Sequence, residues 1–145
     1  MRTLVIRSSA RYTIRAIAVE AADGGRDPCP TLQFFEGHAR GWPTEMAKLA
    51  ALLTESCENG PPHDENKFKN LKGTDGLYEF KTPQGLRLIC FWDDAGLIIC
   101  THGYVKDKQK APKAELSRGR RFMRDYFDAK SRGTLTHAPT KRTGV

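Results

Sequence analysis

Two basic residues stand in segments that otherwise alternate like half-buried strands. In Leu77 to Lys81 the period of two puts Tyr78 and Phe80 on one face and Glu79 and Lys81 on the other; in Leu86 to Trp92, Arg87 shares its face with Ile89 and Phe91. The chemistry open to such side chains is that of phosphate. Cleavage of RNA through its 2′-hydroxyl needs a base to take the proton, positive charge to stabilise the phosphorane and an acid to protonate the leaving oxygen. A lysine crowded by arginines gives up its proton more readily, and an arginine stays charged and grips phosphate at two points. The competing use is structural, a cross-strand pair of Lys81 or Arg87 with Glu79. His102, with an ordinary pKa of about 6.5, is either a proton donor or a hydrogen-bonded structural residue. Tyr104 is either a platform for a splayed base or a hydrophobic plug.

No other signature competes. GxGxxG, GxxxxGK[ST], HExxH and GxSxG are absent. Cys29, Cys57, Cys90 and Cys100, spaced by 28, 33 and 10 residues, form no zinc pattern with His38, His63, His102 and His137. Buried, reduced thiols are expected, with neither metal nor cofactor. If Asp94-Ala95-Gly96 is a three-residue turn with Gly96 left-handed, Cys90 and Cys100 face each other across two strands.

The elements that position these residues follow from periodicity. Tyr12 to Ala21 reads as a first strand and Thr31 to Ala39 as a short helix. Pro43 to Glu58 reads as a second helix: Pro43 suits its first position, and Trp42, Met46, Leu49, Leu53 and Cys57 share a face. A polar loop, 59–70, brings Lys67, Lys69 and Lys72 to the sheet. Strands Leu77 to Lys81, Leu86 to Trp92 and Leu97 to His102 are joined by the turns Thr82-Pro83-Gln84-Gly85 and Asp93-Asp94-Ala95-Gly96, which predicts an antiparallel meander. Pro112 begins a last helix to about Lys130, with Leu116, Phe122, Met123, Tyr126 and Phe127 on one arc and Arg118, Arg120, Arg121 and Arg124 on the other. Residues 1–11 read as a mobile lead-in, 12–130 as one α+β domain and 131–145 as a disordered basic tail.

The 145 residues carry a net charge of +7, unevenly spread: residues 1–101 sum to −1 and residues 102–145 to +8. Such asymmetry favours a polyanionic partner, because clustered Lys and Arg displace counterions from phosphates; a solvated tail is the plain alternative. No 18-residue apolar run is present, and MRTLVIRSSAR lacks the apolar centre of a signal peptide, so the expected compartment is the cytoplasm, with no membrane partner.

From Leu77 to Phe127 the segments LYEFK, GLRLICFW, THGYVKDKQKAPKAE and RGRRFMRDYF resemble the C-terminal half of the RelE/HigB-like toxins of type II toxin–antitoxin systems. The likeness is to the phage-derived subgroup, whose strand ending Leu-His-Gly-Phe runs into a Lys-Lys-x-x-Lys-Thr-Pro loop and a final helix. Asp107 and Ala111 depart from that loop pattern. The resemblance implies a RelE-like fold in the order β-α-α-β-β-β-α. It also implies metal-independent cleavage of messenger RNA, usually in the ribosomal A site, and a cognate antitoxin of the helix-turn-helix kind. The matching positions are Lys69, Lys81, Arg87 and Lys106: Arg87 and Lys81 for phosphate and transition-state contact, Lys106 and Lys69 as base, acid or anchor. His102 remains a candidate proton donor, and Tyr104, Lys108, Lys110, Arg118 and Arg121 are candidate RNA contacts. Two other readings stay open: a non-catalytic module that only grips RNA or an acidic protein, and a relative of the same fold that poisons DNA gyrase.

Overall fold

The computed structural model describes residues 1–21, 23, 25, 27–107 and 112–139. Lys108, Lys110 and Ala111, named above, lie outside them. The chain is α+β. Its strands are β1 (Arg2–Ser8), β2 (Thr13–Ala18), β3 (Phe68–Asn70), β4 (Tyr78–Lys81), β5 (Leu86–Trp92), β6 (Leu97–Val105) and β7 (Thr136–His137), and its helices are α1 (Pro30–His38), α2 (Pro43–Asn59) and α3 (Lys113–Arg132). They form one mixed sheet in the order β3-β4-β5-β6-β2-β1-β7. The meander β3 to β6 is antiparallel, whereas β2 runs parallel to β6 and β7 parallel to β1.

The three helices, the first strand and the three meander strands stand where periodicity puts them, and three further strands appear. Residues 1–11, expected as a mobile lead-in, contain β1, whose Leu4 and Ile6 pack on the core while its backbone pairs with β2. Its Arg and Ser residues read as polar because β1 lies near the sheet edge, where such side chains reach solvent. In the loop 59–70, Phe68 pairs with Phe80 to make β3. In the expected basic tail, α3 runs on to Arg132, Gly133 closes it in the left-handed conformation, and β7 follows. Residues 140–145 lie outside the described set.

Each face of the sheet has its own core. Ile14, Ala16, Leu86, Leu88, Cys90, Ile98 and Cys100 point toward α1 and α2 and meet Phe34, Leu49 and Leu53. Ile17, Leu77, Ile89, Phe91 and Ile99 point toward α3 and meet Tyr126. Cys90 and Cys100 are register partners, as the turn geometry predicts, and Gly96 has φ of 82°. All four cysteines are buried and free.

The alternation of β6 is broken once. Ile89 pairs with His102 and Cys90 with Cys100, so Thr101 is the extra residue of a β-bulge. Beyond it the parity reverses: Gly103 faces α1 and Tyr104 faces α3. Among the described residues no helix is long and apolar enough to cross a membrane.

Candidate functional site

Among the described residues, α3 covers only part of one face of the sheet. Helix α3 lies against β5 and β6, held close by Gly119, where a Cβ would stand 3.0 Å from Ile89 and 3.1 Å from Leu77. Beyond its N-terminal end the same face continues onto β4 and β3. Register places Lys69 opposite Glu79, Lys81 opposite Arg87, and Arg87 opposite Tyr104. Lys106, one step past β6, has the parity of Tyr104, and its N–H donates to the Gly85 carbonyl at 2.8 Å. Gly85 has φ of 114°, and a Cβ there would lie 3.0 Å from the Lys106 carbonyl oxygen, so glycine lets the two backbones meet. Lys69, Lys81, Arg87 and Lys106 are thus gathered at one end of the α3 face.

The cluster perturbs its own members. Burial lowers the Lys81 pKa, and Arg87, Lys69 and Lys106 lower it further, against an opposing pull from Glu79. Its ammonium therefore releases a proton more readily than a solvated lysine does. Arg87 is almost buried, with its side chain 11% exposed; Nη1 donates to the Thr82 and Leu86 carbonyls, each at 3.0 Å. The ion pair with Glu79 is loose, Nε to Oε2 being 4.0 Å. Among the described residues the buried Nε has no hydrogen-bond partner.

Glu45 sets the geometry of the turn that separates Lys81 from Arg87. Its sequence position suggests a helix-terminus charge, yet the side chain is buried, accepts the Gln84 N–H at 2.8 Å and pairs with Lys48 at 3.3 Å. Burial would raise its pKa, but hydrogen bonds from Thr82, Gln84 and Lys48 outweigh it and leave the carboxyl below its usual range. The Thr82 hydroxyl also accepts the Leu86 N–H at 3.2 Å, so α2 holds the turn through one carboxylate. A lone Glu in a first helical turn carries no sequence signal for this role.

Two candidates are relocated. His102 is fully buried: its Nδ1 lies 2.9 Å from the Thr101 hydroxyl and its Nε2 3.2 Å from Glu115. Burial and the nearby Arg118 push its pKa down to about 4, so the ring is neutral near pH 7 and inside the core rather than at the surface where a leaving oxygen would be protonated. Tyr104 is 8% exposed and donates its hydroxyl to Glu79 Oε1 at 3.1 Å. Burial, with the Glu79 charge and hydrogen bond, raises its pKa far above the usual phenol value. It supports the cluster from beneath rather than offering a ring to stack on. Both residues reach this face through the Thr101 bulge.

The arginines of α3 lie apart from the cluster. Arg118 is half-buried over the Phe122 ring, its Cζ 5.5 Å from the centroid, while Arg121 is exposed and lines an open recess with Arg120, Arg124, Met123 and Phe127. Among the described residues no group of three or more His, Cys, Asp or Glu side chains is placed to hold a metal ion.

Residues 40–124 match the model of the family described as phage derived protein Gp49-like (DUF891). The match spans more than half of the chain and takes in α2, the meander, the basic cluster and the first half of α3. The chain belongs to this Gp49-like family, in general terms a family of RelE/HigB-like toxins. No curated protein matches it.

Proposed function

We propose that this protein is the toxin of a type II toxin–antitoxin pair and cleaves messenger RNA at the basic cluster, without a metal, in the ribosomal A site and under the restraint of an antitoxin. The observation that carries the reading is the convergence of Lys69, Lys81, Arg87 and Lys106 from four separate segments onto one end of the α3 face of the sheet. Family membership supports a toxin with an antitoxin partner. Arg87 supplies fixed positive charge beside the scissile phosphate. Lys81, with its lowered pKa, takes or gives the proton, and Lys106 and Lys69 anchor the flanking backbone or share the acid–base work.

A second reading, a binding module that grips RNA without cutting it, draws on the Arg87 bonds to the Thr82 and Leu86 carbonyls, which give that guanidinium a structural task. Inducible expression with mapping of transcript ends separates the two. Cleavage predicts growth arrest and new ends within translated messages, and on a minimal RNA the cutting persists in excess EDTA. Unchanged growth and unchanged ends at confirmed soluble expression would refute the toxin reading.

A further inference from the structure

A cleft of about 610 Å³ opens beside the cluster, between α2 and the chain leading into β3. It shares Lys81 and Arg87 with the cluster, but its other walls differ in kind. Ala51, Leu52 and Pro83 give it an apolar lining, and Glu55 and Asp64 bring carboxylates to a region otherwise rich in Lys and Arg. Of the other lining cations, Lys48 on α2 is engaged by Glu45 at 3.3 Å, and Lys67 stands on the chain leading into β3. Two carboxylates repel a phosphate oxygen, so the part of the cleft they line suits the edge of a base, while a phosphate stays with the cations.

We propose that this cleft is a nucleobase pocket that takes the nucleoside next to the phosphate held by Lys81 and Arg87. The base lies between Leu52 and Pro83, and Glu55 and Asp64 accept hydrogen bonds from its exocyclic amino group. Cytosine, adenine and guanine carry such a group. Uracil presents one N–H between two carbonyl oxygens, which the carboxylates repel, and is disfavoured. The inference rests on the reading of the cluster as an RNA site and adds to it the class of base that the site selects.

The test measures binding of fluorescein-labelled hexanucleotides of cytidine, adenosine and uridine to the full chain at one salt concentration. The parent protein should bind the cytidine and adenosine oligomers at least about fivefold more tightly than the uridine oligomer. Glu55→Gln combined with Asp64→Asn should bring that ratio close to one. The ratio is the readout, because removing two negative charges strengthens the binding of every oligomer. Asp64→Asn keeps an oxygen for the Asn66 N–H, which Asp64 Oδ1 accepts at 2.9 Å, so the loop is preserved. Equal binding by the parent, or a preference that survives the double substitution, overturns the pocket while leaving the RNA site in place. Binding of polyglutamate with no binding of any oligomer overturns both.

Discussion

The Nε of Arg87 lies 4.0 Å from Oε2 of Glu79, too far for a hydrogen bond, although both side chains are nearly buried. The other carboxylate oxygen accepts the Tyr104 hydroxyl at 3.1 Å. Glu79 thus places a negative charge beneath the basic surface, held from below by Tyr104, where it offsets the effect of burial and of three neighbouring cations on Lys81.

Glu79→Gln should therefore move the pH dependence of cleavage. Glutamine still offers Tyr104 an acceptor oxygen but removes the charge that raises the Lys81 pKa, so that pKa falls further. The limb of the kcat/KM profile that Lys81 governs should shift toward lower pH. An unmoved profile in a folded variant would show that the ionisation of Lys81 does not control the rate.

Arg87→Ala should reduce cleavage by roughly 10²–10³-fold, the usual consequence of losing one preorganised transition-state contact, about 2.7–4 kcal/mol. It also strips the Thr82 and Leu86 carbonyls of a donor and leaves Glu79 without a nearby guanidinium, a stability loss of about 1–3 kcal/mol. Denaturant titration separates the two effects. Arg87→Lys keeps the charge without the two-pronged geometry and should recover only part of the rate. A folded Arg87→Ala protein that cuts like the parent would make Arg87 purely structural.

The stability of the fold should fall in acid through His102. Its pKa is near 6.5 in the unfolded chain and about 4 in the folded one, so between these values the unfolded chain binds a proton that the folded chain does not. Stability present above pH 6.5 is lost as the pH drops toward 4, by on the order of 3 kcal/mol at most. His137, also lowered by burial and by Arg15, acts in the same direction. Thermal midpoints measured from pH 7 to pH 4 should decline less steeply in His102→Gln than in the parent; parallel curves would remove His102 as the cause.

Gly103→Ala should destabilise the fold by about 1–3 kcal/mol or more, because a Cβ there would stand 2.2 Å from Cδ2 of Phe34. Combining it with Phe34→Leu, which vacates the ring, should cost less than the two single losses added together. Additive urea midpoints would show that the two residues are not in contact.

The path from sequence to site was readable for Lys81 and Arg87. A strand alternates with period two, and with Phe80, Leu86 and Leu88 committed to the core, Lys81 and Arg87 had to face the other way, toward one another once the Thr82–Gly85 turn paired their strands. Helix α2 and most of α3 were equally legible, since an apolar stripe at helical spacing has one way to be buried. The short strands were not. β7 is stabilised by a partner far along the chain, Thr3 lying opposite His137, and β3 and β7, three and two residues long, are too short to show a period, while β1, which pairs with the adjacent β2, has its apolar residues interrupted by Arg and Ser.

The bulge at Thr101 was likewise decided by tertiary structure. Continued from Cys100 without interruption, the alternation would turn His102, Tyr104 and Lys106 toward α1, away from Arg87. One extra residue reverses them, sending the ring of Tyr104 under Glu79 and bringing Lys106 to the cluster. It also places Gly103, the residue without a side chain, under Phe34. The sequence by itself determined which residues are basic and which strands carry Lys81 and Arg87. Only the packed sheet, with its core filled from both faces, determined that the end of β6 joins them, because register depends on which contacts between distant segments bury the most apolar surface at once.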